Sequence, residues 1–185
     1  MSDVTRILDR VQQGEAKAAE ELLPLVYEEL RKLAAHRMAN EAPGQTLQPT
    51  ALVHEAWLRL TDSPEQQWNG RGHFFAAAAE AMRRILVENA RRKRALRHGG
   101  GQERVDLASL ELAANPNDDQ LIEVSEALDE LAGLDARQAD MVKLRFFAGL
   151  QLEEIAALHG VSVKTVQRQW IHARAWLFER IHSRR

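Results

Sequence analysis

Two short stretches of the sequence hold most of its excess positive charge, and clustered Lys and Arg side chains can bind a polyanion. Residues 71–98 carry 8 Lys or Arg against 2 acidic residues, and residues 159–185 carry 6 against 1. The remainder is acidic, with 11 acidic against 2 basic residues in 101–141, so the net charge is only −2. Because phosphates are neutralised locally, this distribution predicts two separate contacts with nucleic acid. The alternative is two solvated helix faces.

The first basic stretch begins beside aromatic residues and glycines. Aromatic rings can stack on unpaired bases while arginines bind the phosphates, which is the chemistry of single-strand binding. The candidate residues for this contact are Trp68, Asn69, Arg71, His73, Phe74, Arg83, Arg84, Arg91 and Arg94. In the competing interpretation Trp68, Phe74 and Phe75 are core residues, and for Phe75 we favour that interpretation.

The second basic stretch overlaps a pattern typical of a helix-turn-helix. Ala156 is small enough for two helices to approach, Gly160 can take the positive φ of a turn, and Ser162 is suited to cap the next helix. That helix is predicted to bury Val166, Trp170, Ala173, Leu177 and Ile181. The candidates for contact with a DNA major groove are Ser162, Lys164, Thr165, Gln167, Arg168, Ile171 and Arg174. An ordinary helical hairpin with a solvated basic face is the alternative.

Helical periodicity runs through the sequence, and no alternating β-branched run is long enough for a strand. We therefore predict an all-α fold of two small helical domains joined by a flexible acidic linker, the second domain being the helix-turn-helix. The predicted helices are 3–12, 15–40, 50–61, 74–95, 118–132, 136–148, 151–158 and 163–182.

Glycines and caps set the predicted boundaries. The glycines at 99–101 would interrupt any helix, which gives a first domain over 1–98, a linker over 99–117 and a second domain over 118–185. Asp135 followed by Gln138 resembles a capping box, and Gly149 is placed to end the same helix.

Several classes of function are excluded by composition and spacing. The chain has no Cys, which removes thiolate metal sites, thiol nucleophiles and disulfides. His54 and Glu55 begin a zinc-protease pattern, but Leu58 stands where the second His would be needed. The N-terminus lacks a signal-peptide pattern, and the longest apolar run, 74–79, is too short to span a membrane. We predict a cytoplasmic, nucleoid-associated protein with no catalytic residue, metal or cofactor.

Three segments, in this order, resemble those of the extracytoplasmic-function (ECF) type of bacterial sigma factor, the promoter-recognising subunit of RNA polymerase. Residues 52–60 resemble the helix that binds core polymerase, 74–94 the helix for the −10 element, and 152–174 the reader of the −35 element. The resemblance implies that the first domain binds the clamp coiled coil and opens the −10 element. It implies that the second domain docks on the flap tip and reads −35 duplex, with the linker near the RNA exit path. The implied polymerase-binding residues are Leu52, Val53, Glu55, Ala56, Trp57 and Arg59.

The chain departs from the family where acidic residues normally precede the polymerase-binding helix, because residues 48–51 carry no charge. We hypothesise that phosphorylation of Thr50, or secondarily Thr46, restores about −1.5 to −2 charges at a helix N-terminus that favours anions. The alternative is that Thr50 is an N-cap.

The expected partners are core RNA polymerase and promoter DNA, with a Ser/Thr protein kinase or an anti-sigma factor as a further partner, and no membrane. The alternative function is a free-standing helix-turn-helix regulator that binds a palindromic operator as a homodimer, without polymerase.

Overall fold

The computed structural model describes residues 3–13, 15–38, 49–61, 70–96 and 118–183. These residues form eight α-helices and no strand, which confirms the predicted all-α class. The helices are α1 (Asp3–Gln12), α2 (Ala16–Met38), α3 (Pro49–Thr61), α4 (Gly70–Leu96), α5 (Asp118–Leu134), α6 (Ala136–Phe146), α7 (Leu152–His159) and α8 (Val163–His182). Among the described residues, no helix combines the length and the apolar character needed to cross a membrane.

The first four helices pack around the apolar stripes that their periodicity predicts. Helix α1 packs on α2, α2 on α3, and α3 on α4. The buried side chains that recur at helical spacing on α2, α3 and α4 are Leu22, Val26, Leu30, Val53, Ala56, Leu60, Phe75, Ala78, Met82 and Ile85. This packing removes apolar surface from water and is the main favourable term that holds these helices together.

Helix α4 begins four residues earlier than expected, at Gly70 rather than at position 74. Gly70 enters the helix with φ +84°, a conformation that favours glycine. A Cβ at Gly72 would lie 3.2 Å from the carbonyl oxygen of Leu158, so packing against α7 explains why glycine is tolerated there. Arg71 is therefore helical, whereas Trp68 and Asn69, the other residues expected in this loop, lie outside the described residues.

The turns of the C-terminal helices follow the predicted caps. The Asp135 side chain accepts a hydrogen bond from the Gln138 backbone N–H at 2.9 Å, although the Gln138 side chain bonds to Gln169 instead of closing the box. Helix α6 ends at Phe146, two residues earlier than predicted, and Gly149 then turns the chain with φ +78°. Local side-chain and backbone chemistry thus predicts the Asp135 cap correctly and the end of α6 to within two residues.

Helix α4 also packs against α5, α6 and α7, so the described helices on both sides of the predicted linker share one core. Its 27 residues make it the longest described helix and the element that connects the two groups. The domain boundaries remain a prediction, because residues 97–117 lie outside the described part of the chain.

Two glycine substitutions should have opposite effects on stability. Gly160 has φ +64°, and nothing lies within 4 Å of the position that a Cβ would take, so Gly160→Ala should lower the free energy of unfolding by about 1 kcal/mol through backbone strain alone. Gly133 lies in α5 with equally open surroundings and no positive φ, so Gly133→Ala should leave stability unchanged or raise it by up to about 1 kcal/mol. Urea denaturation followed by circular dichroism measures both, and equal effects would contradict the conformational explanation.

Candidate nucleic-acid and polymerase interfaces

Helix α8 separates a buried apolar face from an exposed polar face. The apolar residues predicted to be buried are all buried, and the opposite face exposes Lys164, Gln167, Arg168 and Ile171. Thr165 and Arg174 on the same side are half-buried. The Ile171 side chain is 64% exposed. An exposed row of this kind has the chemistry needed to touch base edges, a thymine methyl group and phosphates.

The N-terminus of α8 is held by its own hydroxyl groups. Ser162 Oγ accepts a hydrogen bond from the Thr165 backbone N–H at 3.1 Å, and the two hydroxyls lie 2.8 Å apart. Gly160 precedes this cap with the left-handed φ that the sequence predicts. Ser162 and Thr165 therefore position the helix start, where the helix dipole also favours a phosphate.

On α4, the structure divides the predicted single-strand contacts into exposed and buried sets. His73, Arg84, Arg91 and Arg94 are exposed. Phe74 and Phe75 are buried at 1% and 3% exposure and meet edge to face, with ring centroids 5.5 Å apart. Phe74 therefore has no free face for a base in this conformation, and the interpretation of Phe75 as a core residue is confirmed.

An arginine side chain lies against one ring of this aromatic pair at the start of α4. The Arg71 guanidinium lies over the Phe75 ring, 5.2 Å from the centroid. A cation stacked on a ring is attracted by its electron-rich face. Arg71 is half-buried in this position, at the junction where Gly72 meets Leu158 of α7.

Arg83, predicted to contact DNA, is buried between α4 and α5 with only 8% exposure. Its guanidinium donates to Ser125 Oγ at 2.8 Å and to the Ser125 carbonyl at 3.2 Å. It also lies 2.9 Å from a carboxylate oxygen of Asp129 and 3.0 Å from one of Glu80. Arg83 thus joins α4 to α5 through charge-assisted bonds, and no face of it is turned to solvent for DNA in this conformation.

Glu80 lies at the centre of a cluster of cations. Besides Arg83, it accepts from Arg84 Nε at 2.9 Å and lies 3.2 Å from Lys143 Nζ of α6. Burial raises the pKa of Glu80, but the bond from Arg83 and the charge of Lys143 lower that pKa by more, so it falls below the usual 4.5. Glu80 is therefore ionised at neutral pH; it links α4 to α6 directly, and to α5 only through Arg83.

Two further ion pairs join α4 to the first turn of α5. Lys93 Nζ lies 3.9 Å from Asp118, and Arg94 Nε lies 3.6 Å from Asp119. Three cations of α4 therefore face acidic residues of α5 along the length of both helices.

On α3, three of the six residues predicted to bind polymerase are buried in the core, and the other three are half-buried. Leu52, Val53 and Ala56 have 0% exposure, so they cannot touch a partner in this conformation. Arg59 is held by Glu55 at 2.9 Å and by Glu88 of α4 at 2.7 Å. Trp57 is half-buried against the core.

The exposed face of α3 consists of other residues. Thr50, Ala51 and His54 are exposed, and Leu58 is 53% exposed. Sequence reasoning missed His54 and Leu58 as surface candidates, although their spacing of four opposite the core stripe was a usable signal. Thr50 is the second residue of α3, because the helix begins at Pro49, so Thr50 lies within the first turn rather than at the N-cap. Thr46 lies outside the described residues.

The family model for ECF sigma factors matches residues 1–183. The chain therefore belongs to the ECF sigma factor family. It is a sigma factor of transcription initiation, a class of protein that binds core RNA polymerase and promoter DNA and is not an enzyme class. No curated protein and no solved structure matches the chain. Because the match covers both groups of helices, it favours this function over the free-standing regulator.

The ion pairs of Glu80 predict a pH-dependent loss of stability. Glu80→Gln should lower the free energy of unfolding at pH 7 by about 1–3 kcal/mol, because it removes the charge that faces buried Arg83. The folded-state pKa of Glu80 is lowered, so its contribution is present above the unfolded pKa near 4.5 and is lost as the pH falls through the folded pKa. Denaturation of both proteins from pH 7 to pH 3 should show the difference shrinking below about pH 4.5.

Glu88→Gln is the matched control on the same helix. Glu88 also pairs with an arginine, but its side chain is 51% exposed, so its loss should cost less than about 1 kcal/mol. If the two variants were equally destabilised at pH 7, burial would not be the cause.

Proposed function

We propose that this sigma factor holds a promoter at two places, with α8 reading the −35 duplex and α4 tracking the −10 strand as it opens. The strongest support is the exposed polar face of α8, which begins directly after the Ser162 cap and lies opposite a row of buried residues. Family membership across residues 1–183 supplies the context in which such a face reads promoter DNA. The proposed polymerase contacts are the clamp coiled coil for the first group of helices and the flap tip for the second.

For the −35 contact we propose Lys164, Gln167 and Arg168 as the main groups. An arginine can donate two hydrogen bonds to guanine, and a glutamine can pair with adenine in the same way. Their position in the first two turns of α8 suits a helix that enters the major groove by its N-terminal end. Arg174, two turns further on, is placed to bind the phosphate backbone.

For the −10 contact we propose Arg84, Arg91 and Arg94. Arg84 and Arg91 are seven residues apart and therefore lie on one side of α4, and Arg94 continues that side one turn later. All three are exposed, which suits phosphate binding better than base recognition. Base contacts would then come from the N-terminal end of α4, where His73 is exposed.

For the polymerase contact we propose that the exposed face of α3 binds the clamp and that phosphorylation of Thr50 strengthens this binding. Thr50 is exposed in a first turn that contains no acidic residue, and a phosphate there would meet the positive end of the helix dipole. This proposal makes a Ser/Thr protein kinase the regulatory partner. An anti-sigma factor is the other regulator that the family suggests.

Truncating one arginine of α8 should relax sequence preference. Arg168→Ala should weaken binding to the preferred −35 sequence by about 1–3 kcal/mol while leaving binding to unrelated duplexes nearly unchanged. Arg180→Ala is the control, because Arg180 lies on the same helix and pairs with Glu130 outside the proposed face. Competition binding with a promoter library measures both, and an unaltered preference in Arg168→Ala would mean that another face reads the DNA.

Charge at Thr50 should control polymerase binding. Thr50→Glu should bind core polymerase more tightly than Thr50→Gln, which has the same size without the charge, and Thr50→Ala should remain inactive in cells that contain the kinase. Pull-down with core enzyme and run-off transcription of phosphorylated and unmodified protein measure the effect. Phosphorylation of Thr50 would be ruled out as the switch if Thr50→Ala and wild type were equally active in such cells and Thr50→Glu gave no gain.

A further inference from the structure

We propose that Arg137 and Gln138, two neighbouring residues in the first turn of α6, are positioning residues for the −35 contact. They hold α8 at one place and one angle, and so they set how strictly the protein discriminates between −35 sequences, without touching DNA. This inference rests on the proposed function, because it concerns the −35 contact that α8 is proposed to make.

Arg137 binds the turn that precedes α8. One of its guanidinium nitrogens donates to the His159 backbone carbonyl at 3.1 Å. His159 is the last residue of α7, and the last carbonyls of a helix have no partner within that helix. The carbonyls of Ala156 and Ala157 are bonded to backbone N–H groups of the turn. Arg137 therefore supplies a donor for the His159 carbonyl, and the helix dipole favours its positive charge at this end of α7.

Gln138 binds α8 itself. Its side-chain nitrogen donates to the Gln169 backbone carbonyl at 3.3 Å. The side chain is available for this bond because the Asp135 cap uses only the backbone N–H of Gln138. Gln169 lies about two turns from the start of α8. Two adjacent residues of α6 thus bond to the backbone on both sides of the point where α8 begins.

The two acceptor carbonyls enclose the part of the chain that is proposed to read DNA. Lys164, Gln167 and Arg168 lie between positions 159 and 169, as does the Ser162 cap. The face that α8 buries is apolar, and apolar contact is non-directional, so it selects the buried face more strictly than the exact angle of the helix. Hydrogen bonds depend on both distance and angle. Two of them therefore fix α8 at two separate points.

A small shift of α8 would affect its two kinds of DNA contact differently. A hydrogen bond to a base edge weakens steeply when its distance or angle departs from the ideal. A phosphate is bound mainly by charge, and the attraction between charges changes slowly with distance. A loosely held α8 should therefore lose its preference for one −35 sequence while it keeps most of its affinity for unrelated duplexes.

The sequence preference of the full chain in complex with core polymerase tests the proposal. Wild-type holoenzyme first selects its −35 sequence from a promoter library randomised at that element. Arg137→Met and Gln138→Met each remove the donor and keep a long side chain. The double variant should lower the ratio of binding to selected over unrelated −35 sequences about tenfold, within the range of one base contact. Its binding to unrelated duplexes should change by less than about twofold in the same competition assay.

This ratio separates positioning from stability, because unfolded protein is lost equally from both kinds of complex. Arg145→Met is the matched control, since Arg145 also donates from its guanidinium to a backbone carbonyl, that of Leu150 at 2.9 Å, but from the opposite end of α6. Arg145→Met should leave the ratio unchanged. Arg137→Lys, which keeps a charged donor, should retain most of the preference that Arg137→Met loses.

The inference would be wrong, and the proposed function would stand, if the double variant kept the wild-type ratio or if Arg145→Met lost as much. It would also be wrong if Arg137→Met weakened binding to every duplex equally and reduced the salt dependence by about one phosphate contact, because Arg137 would then bind DNA directly. If wild-type holoenzyme selected no −35 sequence at all, the proposed function itself would fail.

Discussion

The packing of α4 against α5 depends on how the charge of Arg83 is satisfied. Removing a guanidinium from water is costly unless its N–H groups all find acceptors. Arg83 finds them in Glu80 on its own helix and in Ser125 and Asp129 on α5. Burial lowers the pKa of Arg83, but the two carboxylates raise that pKa by more, so the charge is kept. The planar, forked guanidinium can bind three partners at once, and an ammonium group could not do so with the same geometry.

Because Arg83 pairs with acidic α5, the opposite charges along the sequence have a structural role. The basic stretch 71–98 and the acidic stretch 101–141 have complementary charge, and in the described conformation part of each neutralises part of the other. The cations of α8 differ, because Lys164 and Arg168 remain on an exposed face. The same sequence thus carries one basic surface that is open and one that is partly covered by its own chain.

Much of the fold could be predicted from sequence because its determinants are local. The caps at Asp135 and Ser162, the positive φ of Gly160 and the buried stripe of α8 all depend on residues within a few positions of one another. The burial of Arg83 depends on Ser125, 42 positions away, and helical periodicity contains no information on that pairing. The early start of α4 was missed for the same reason, because glycines at 70 and 72 favour a loop until the contact with Leu158 is known. Of the four apolar residues assigned to the polymerase interface, three have 0% exposure and belong to the core of the described helices.

Arg59 has a mechanical consequence for the whole N-terminal group. Its guanidinium bonds Glu55 on α3 and, with two nitrogens, both carboxylate oxygens of Glu88 on α4. Together with the shared apolar core, this pair of contacts joins α3 to α4. A partner that binds the outer side of α3 would therefore also influence how α4 is oriented.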